Sequence, residues 1–271
     1  MKRLIISILA ILAISIGASA QRLTMLHVND THSHLDPLRN GEAGVIERAA
    51  IIDSIRLADG KKNVLLLHAG DFDQGTSYYT VLQGELEANL VNALGYDCIT
   101  LGNHEFDSGA EHLAARLKKI KCPVVCANYD FSESKLKNLV KPYTIIKKAG
   151  KKIGIIGLLC DISKVTANYI ENGLKALDTV EECNRWADFL KNEAGCDLVI
   201  ALTHIGYEAN EGVISDITLV PQTRNVDLVV GGHSHTQLKK PTIVKNLDGR
   251  DIPVVQDWCW GYNIGIMHID F

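Results

Sequence analysis

Gly102-Asn103-His104-Glu105-Phe106-Asp107 decides the reading of this chain. It follows the apolar run Cys98-Ile99-Thr100-Leu101 and precedes Ser108-Gly109, where a helix is expected to open. Gly102 lets the backbone turn where a Cβ would clash. An amide, an imidazole and two carboxylates then arrive within five positions. A surface turn needs one or two polar residues. Asn, His, Glu and Asp gathered at a strand end are donors of the kind that metals and proton transfer use.

Four more stretches share this design. Residues 23–28 read as a strand that runs into Asn29-Asp30-Thr31-His32-Ser33-His34. In Asp-x-His a turn can aim two side chains at one point, and a carboxylate beside an imidazole suits a divalent cation. Residues 63–67 hold a continuous Val-Leu-Leu-Leu run, typical of a sheet covered on both faces. That run ends in His68-Ala69-Gly70-Asp71-Phe72-Asp73-Gln74-Gly75. Asp71 is the first acid past the strand. Asp73 sits later and reads either as a further ligand or as a cap on the next helix. Residues 198–202 end at Thr203-His204, and residues 226–230 end at Gly231-Gly232-His233-Ser234-His235-Thr236.

In layered α/β folds, strand ends line one rim and ligands bind there. Asp30, His32, Asp71, Asn103, His204, His233 and His235 are therefore expected to converge. These seven oxygen and nitrogen donors are too many for one tetrahedral metal. They suit two cations about 3.5–4 Å apart that share a carboxylate. Asp71 is the natural bridge, and the donor set accepts zinc, manganese or iron. His27, His34, His68, His112 and His268 lie off the pattern and read as structural.

Around this rim, residues 44–58 have helical spacing, with Ile46, Ala49, Ala50, Ile52 and Ile55 as the apolar stripe. Tyr79, Leu82, Leu86, Leu90 and Leu94 read as one helix face. Further helices are expected over 111–120 and over 177–193, the latter anchored by Trp186 and Leu190. Strands are expected over 124–127, 143–148, 151–158, 252–256 and 263–269. Ala149-Gly150 and Asp248-Gly249 read as hairpin turns. The 271 residues carry a net charge of −4, so no basic field for a nucleic acid polymer exists. Adjacent lysines such as Lys147-Lys148 read as solvated pairs. Seven cysteines without zinc-finger spacing give no disulfide framework. Met1-Lys2-Arg3, an apolar run to Ile16 and Ala18-Ser19-Ala20 form a secretory signal peptide over 1–20, with cleavage before Gln21. The run is too short for a stable membrane anchor.

The series Asn29-Asp30-x-His32, Gly70-Asp71-x-x-Gln74-Gly75, Gly102-Asn103-His104-Glu105-x-Asp107, Thr203-His204 and Gly232-His233-Ser234-His235 resembles the calcineurin-like metallophosphoesterases. More narrowly, it is similar to the N-terminal catalytic domain of bacterial 5′-nucleotidases. The resemblance covers the mature chain, in order. It implies a single α/β domain over 21–271, a four-layer αββα sandwich with a dimetal site between two sheets. It further implies one metal on Asp30, His32, Asp71 and His235, and a second on Asp71, Asn103, His204 and His233. His104 is implied as the catalytic histidine and Asp107 as its orienting partner, with Asn103 and His104 meeting the substrate. The implied chemistry is an exported phosphoric-ester hydrolase acting on nucleotides, in which hydroxide formed at the metals attacks phosphorus in line. Glu105 receives no role.

Such nucleotidases continue into a C-terminal domain that carries the arginines and stacking aromatics of the nucleotide pocket. No obvious base-stacking pair exists among this chain's aromatics. The readings therefore include a hydrolase acting alone on nucleotides, 2′,3′-cyclic nucleotides or nucleotide-sugars, and a catalytic half that needs a separate C-terminal-type chain. They also include a thiosulfohydrolase-like use of the metals and an idle metal-binding interaction module. The intact His104–Asp107 pair argues against the last.

Overall fold

The computed structural model describes residues 21–38, 41–164, 173–208 and 210–271. The signal peptide expected over 1–20 lies outside the described residues. Two sheets stack face to face. In the first, β1 (Arg22–Val28), β2 (Val64–His68), β3 (Cys98–Thr100) and β4 (Val124–Val125) run parallel, and β13 (Gly265–Asp270) closes the far edge antiparallel to β1. In the second, β7 (Lys151–Leu159), β9 (Leu198–His204), β10 (Leu228–Val230) and β12 (Asp251–Val255) run parallel. Here β6 (Tyr143–Lys148) and β11 (Thr242–Lys245) pair antiparallel at the two edges. A small ribbon pairs β5 (Tyr129–Asp130) with β8 (Lys175–Ala176).

The unbroken apolar runs follow from the layering. Successive side chains of a strand point to opposite faces, and here both faces are covered. Leu23, Met25, Leu65, Leu67, Ile200 and Leu202 meet between the sheets. Leu26, Leu66 and Ile99 face outward, onto α1 (Val45–Asp59), α3 (Glu85–Leu94) and α4 (Gly109–Leu117) through Ile52, Val91 and Leu113. On the opposite side, Val199, Ala201 and Val229 pack on α5 (Thr179–Asp188) and the short α6 (Asp216–Leu219) through Cys183, Ala187 and Leu219. Asp178 starts α5 by accepting the Glu181 N–H at 2.8 Å. The four expected layers, helix, sheet, sheet, helix, are present.

Several local expectations need correction. The apolar face from Tyr79 to Leu94 belongs to two helices, α2 (Ser77–Leu82) and α3, because Gln83 (φ 49°) and Gly84 (φ 82°) are left-handed and break the ladder. Leu82, expected inside, is 44% exposed. In α1, Ile46 points to solvent, and Val45 takes its place against the core. The helix over 177–193 changes pitch after Asp188 into a π-helical turn, Phe189–Glu193, that still buries Leu190. Lys148 is not solvated: its Nζ lies 2.8 Å from Asp97 and its side chain is nearly buried. All seven cysteines are free.

Candidate metal centre

Asp30 and His32 follow β1, Asp71 follows β2, and Asn103 and His104 follow β3. His204 ends β9, while His233 and His235 follow β10. The rim thus draws on both sheets, and it brings all seven expected donors together. One donor atom from each of Asp30, His32 and His235 lies within 4.8 Å of the others, and the same holds for Asp71, His204 and His233. Asn103 joins the latter set, with its Oδ1 2.8 Å from His233 Nδ1. The two sets interlock. His32 Nε2 is 3.8 Å from both Asp30 Oδ1 and Asp71 Oδ2. His204 Nε2 is 3.0 Å from Asp71 Oδ2 and 3.9 Å from Asp30 Oδ1.

The backbone is bent hard to achieve this. Asp30, His32, Asp71, His233 and His235 all have φ between 47° and 77°, the left-handed region that L-residues avoid. Such residues persist where the surroundings over-determine them, and they cluster at working sites. Gly70 (φ 85°) and Gly102 make the close approach: a Cβ on Gly70 would meet Gly102 and the His204 ring, and one on Gly102 would meet the Asp71 carboxylate.

Glu105, which has no role on sequence grounds, is the clamp for this turn. Its buried carboxylate accepts the backbone N–H groups of Gly102 (2.5 Å), Asp71 (3.0 Å), Phe72 (2.9 Å) and Asp73 (3.1 Å). Burial and the Asp71 charge push Glu105 up to about 7, while the Gly102 and Asp73 N–H groups pull it down. The available signal was the turn Gly70 to Asp73, whose N–H groups leave a strand with no ladder to enter. Asp73 neither ligates nor caps. It is buried 2.7 Å from Arg116, and Thr76 caps α2 instead.

The electrostatics ask for cations. Asp30 and Asp71 are buried, and among the described residues their ion pairs are all with histidines. Burial would raise Asp71, but the charge and hydrogen bond of His204 together with the charges of His32 and His104 outweigh it and hold the carboxyl well below its usual range. Burial likewise works against a charged His204, yet Asp71 and Asp30 lift it to about 10. Burial lowers His32 against the pull of Asp71, and burial together with the His204 charge takes His233 down to about 4. Neutral imidazoles are what a metal requires. His204 Nδ1 lies 2.7 Å from the Ala69 carbonyl, which fixes the ring and turns Nε2 toward the carboxylates. That buried Nε2 makes no aligned hydrogen bond. A divalent cation in the place of its proton suits an orphaned nitrogen between two buried carboxylates, so the donor set fits a metal.

His104 stands beside this cluster. Its backbone N–H donates to Asp71 Oδ1 at 2.9 Å, and its Nδ1 is 2.7 Å from Asp107 Oδ2. The Asp107 hydrogen bond raises His104 to about 8 against the effect of burial. The cluster opens into a cavity of about 550 Å³, lined by Asn103, His104 and His233 and also by His34 and Trp260. His34 is therefore not remote structure, as its place in the sequence suggested. It stacks on Trp260 with ring centroids 5.0 Å apart and planes 20° apart. Trp258 and Tyr262 stack beside it at 4.8 Å. An aromatic group at the rim was missed because Trp258, Trp260 and Tyr262 alternate along one turn distant in sequence from His34.

A profile described as calcineurin-like phosphoesterase matches residues 23–237. The chain is 35% identical to a 5′-nucleotidase of Diplobatis ommata, over 96% of this chain and 48% of that protein. It is 34% identical to a probable 5′-nucleotidase of Treponema pallidum (strain Nichols), over 92% of this chain and 45% of the relative. Among solved structures, the 5′-nucleotidase precursor from Thermus thermophilus superposes with a TM-score of 0.82 at 34% identity, covering 92% of this chain and 51% of that one. The Haemophilus influenzae NAD nucleotidase superposes at 0.80 and 31% identity, covering 92% and 53%. The chain spans about half the length of the curated relatives it matches.

Proposed function

This chain belongs to the calcineurin-like phosphoesterase family, and from that premise we propose that it is a metal-dependent hydrolase of phosphoric esters, with nucleotides as substrates. The observation that carries the proposal is the pair of interlocked donor sets around Asp30 and Asp71, with the His104–Asp107 pair facing the same cavity. Asp30, His32, Asp71 and His235 would hold one divalent cation, and Asp71, Asn103, His204 and His233 a second. Zinc, manganese and iron all suit these donors. Such cations supply Lewis acidity, acidifying water and neutralising phosphoryl charge.

The chain's own groups do the rest. Asp107 engages His104 Nδ1 and leaves Nε2 as the atom that donates to a phosphoryl or leaving oxygen. With His104 raised to about 8, that proton is in place at neutral pH. Asn103 and His104 meet the phosphoryl group, and Glu105 keeps the Asp71 turn rigid beneath it. The relatives named as 5′-nucleotidases and as an NAD nucleotidase support nucleotides as the substrate class.

In this reading residues 1–20 direct export, with cleavage near Ala20-Gln21. Among the described residues no helix is long and apolar enough to cross a membrane. In a second reading the catalytic unit works with a separate nucleotide-binding chain. Phosphate release from 5′-nucleotides with added manganese or zinc tests both, with and without such a chain. His104→Ala is expected to cut kcat by about 10²–10⁴-fold while metal content holds. Full activity in that variant overturns the role given to His104, and no stoichiometric metal uptake overturns the whole proposal.

A further inference from the structure

Two cavities adjoin His233, and their chemistry differs. The larger, about 860 Å³, has Asp161, Asp178 and Glu208 in its wall. Carboxylates repel an anionic phosphoric ester. The smaller one, at the donor sets, counts His34 and Trp260 in its wall. Trp260 is 37% exposed, and its ring lies 6.5 Å from that of His235.

This wall is built rather than incidental. Trp260 sits at φ 59°, a left-handed conformation that tryptophan rarely adopts. Its N–H donates to the Asp30 carbonyl at 2.6 Å. Buried Arg48, reaching across from α1, donates to the His34 carbonyl at 3.0 Å and to the Trp260 carbonyl at 3.3 Å. A single guanidinium therefore holds both strands of backbone that carry the stacked rings. Tyr262 lies against the indole with centroids 5.8 Å apart and planes tilted by 56°. Ring faces fixed at the mouth of a cation-seeking cavity are suited to a flat aromatic group attached to a phosphate, because stacking accepts any π-face.

We propose that the His34–Trp260 stack is the recognition wall for the aromatic portion of the substrate, a nucleobase or aryl group, so that this domain contributes its own base-binding surface. The proposal rests on the hydrolase reading above. The carboxylates lining the larger cavity leave the aromatic wall as the direction in which the organic part of the ester extends.

The test compares kcat/KM for adenosine 5′-monophosphate and glycerol 1-phosphate, which share the phosphomonoester but not the ring. Wild-type chain is expected to favour the ring-bearing ester. Trp260→Ala should lower that preference by about 5- to 150-fold, the range of one stacked base, mainly through KM. Trp260→Phe should restore most of it, and His34→Ala should show a smaller loss of the same kind. An unchanged preference in Trp260→Ala, or equal losses on both esters, overturns the proposal. Should Trp260→Ala not fold, His34→Ala and an adenosine titration of the wild type carry the test. Quenching of the fluorescence component that Trp260→Phe lacks supports the wall, and no quenching overturns it. If wild type releases phosphate from neither ester, the hydrolase reading fails, and the adenosine titration still decides the wall.

Discussion

The two donor sets are alike in burial, each with two buried members and one half-buried histidine, and differ in how their rings are held. In the set containing Asp71 and His204, both side chains are buried, the ring is fixed by the Ala69 carbonyl and the carboxylate by the His104 N–H. In the set containing Asp30, His32 and His235, the last side chain is 36% exposed, and its Nε2 lies 3.1 Å from that of His32. Among the described residues His32 Nδ1 has no hydrogen-bond partner, so this ring is positioned mainly by what its Nε2 binds. The His204 set is pre-organised and the His235 set completes itself around a ligand. A cation held by the His204 set should exchange slowly, and one held by the His235 set readily.

That contrast can be broken in several ways. Asp71 serves both sets, so Asp71→Asn should strip both cations and lower turnover by more than about 10³-fold, beyond the loss of a single electrostatic donor. Elemental analysis that finds full metal in this variant removes Asp71 as the bridge. Next in size, His204→Ala should abolish the slowly exchanging cation, whereas His235→Ala should spare it and release only the labile one. Equal losses in the two variants, read by chelator-chase kinetics, erase the distinction between the sets.

Glu105→Gln sharpens the comparison from behind. An amide cannot accept four N–H groups as a carboxylate does, so the fold should lose about 1–3 kcal/mol in a denaturant titration, and affinity for the cation of the His204 set should drop about 10–100-fold. The smallest effect concerns pH. The Asp107 hydrogen bond raises His104 to about 8. A proton-donating role is therefore present below that value and lost as pH rises through it. The stabilisation of the folded chain from the same pair is complete below the ordinary imidazole value and also fades through about 8. Asp107→Asn should move the alkaline limb of the rate profile down toward 6.5. A limb that stays in place assigns the titration to another group.

Much of this was readable in the chain because strand ends and donors coincide along it. The five apolar runs that stop at Asp30, Asp71, Asn103, His204 and His233 do so at the rim, and two-faced burial explains why those runs do not alternate. Glu105 escaped because what it binds is backbone, and N–H groups carry no letter in a sequence. Trp260 and His34 escaped because their contact depends on Arg48, which spans three separate segments. The break at Gln83 escaped because Leu82 and Leu86 keep helical spacing across it, and only a left-handed φ, invisible in periodicity, divides α2 from α3. Local patterning predicts which face is inside, and it predicts poorly where one buried side chain ties distant loops together.

The antiparallel pairing of β1 with β13 has a consequence for how the chain comes to be folded. Arg22 and Asp270 are partners 248 positions apart, and six registered residue pairs join the two strands. A growing polypeptide emerging from the ribosome makes β1 first and must hold one of its edges unpaired until β13 is synthesised. Contacts this distant slow folding, and an open edge in the meantime invites misassociation. The loop bearing Asp30 and His32 hangs from that same strand. Competence to take up metal is therefore expected only once β13 has been made.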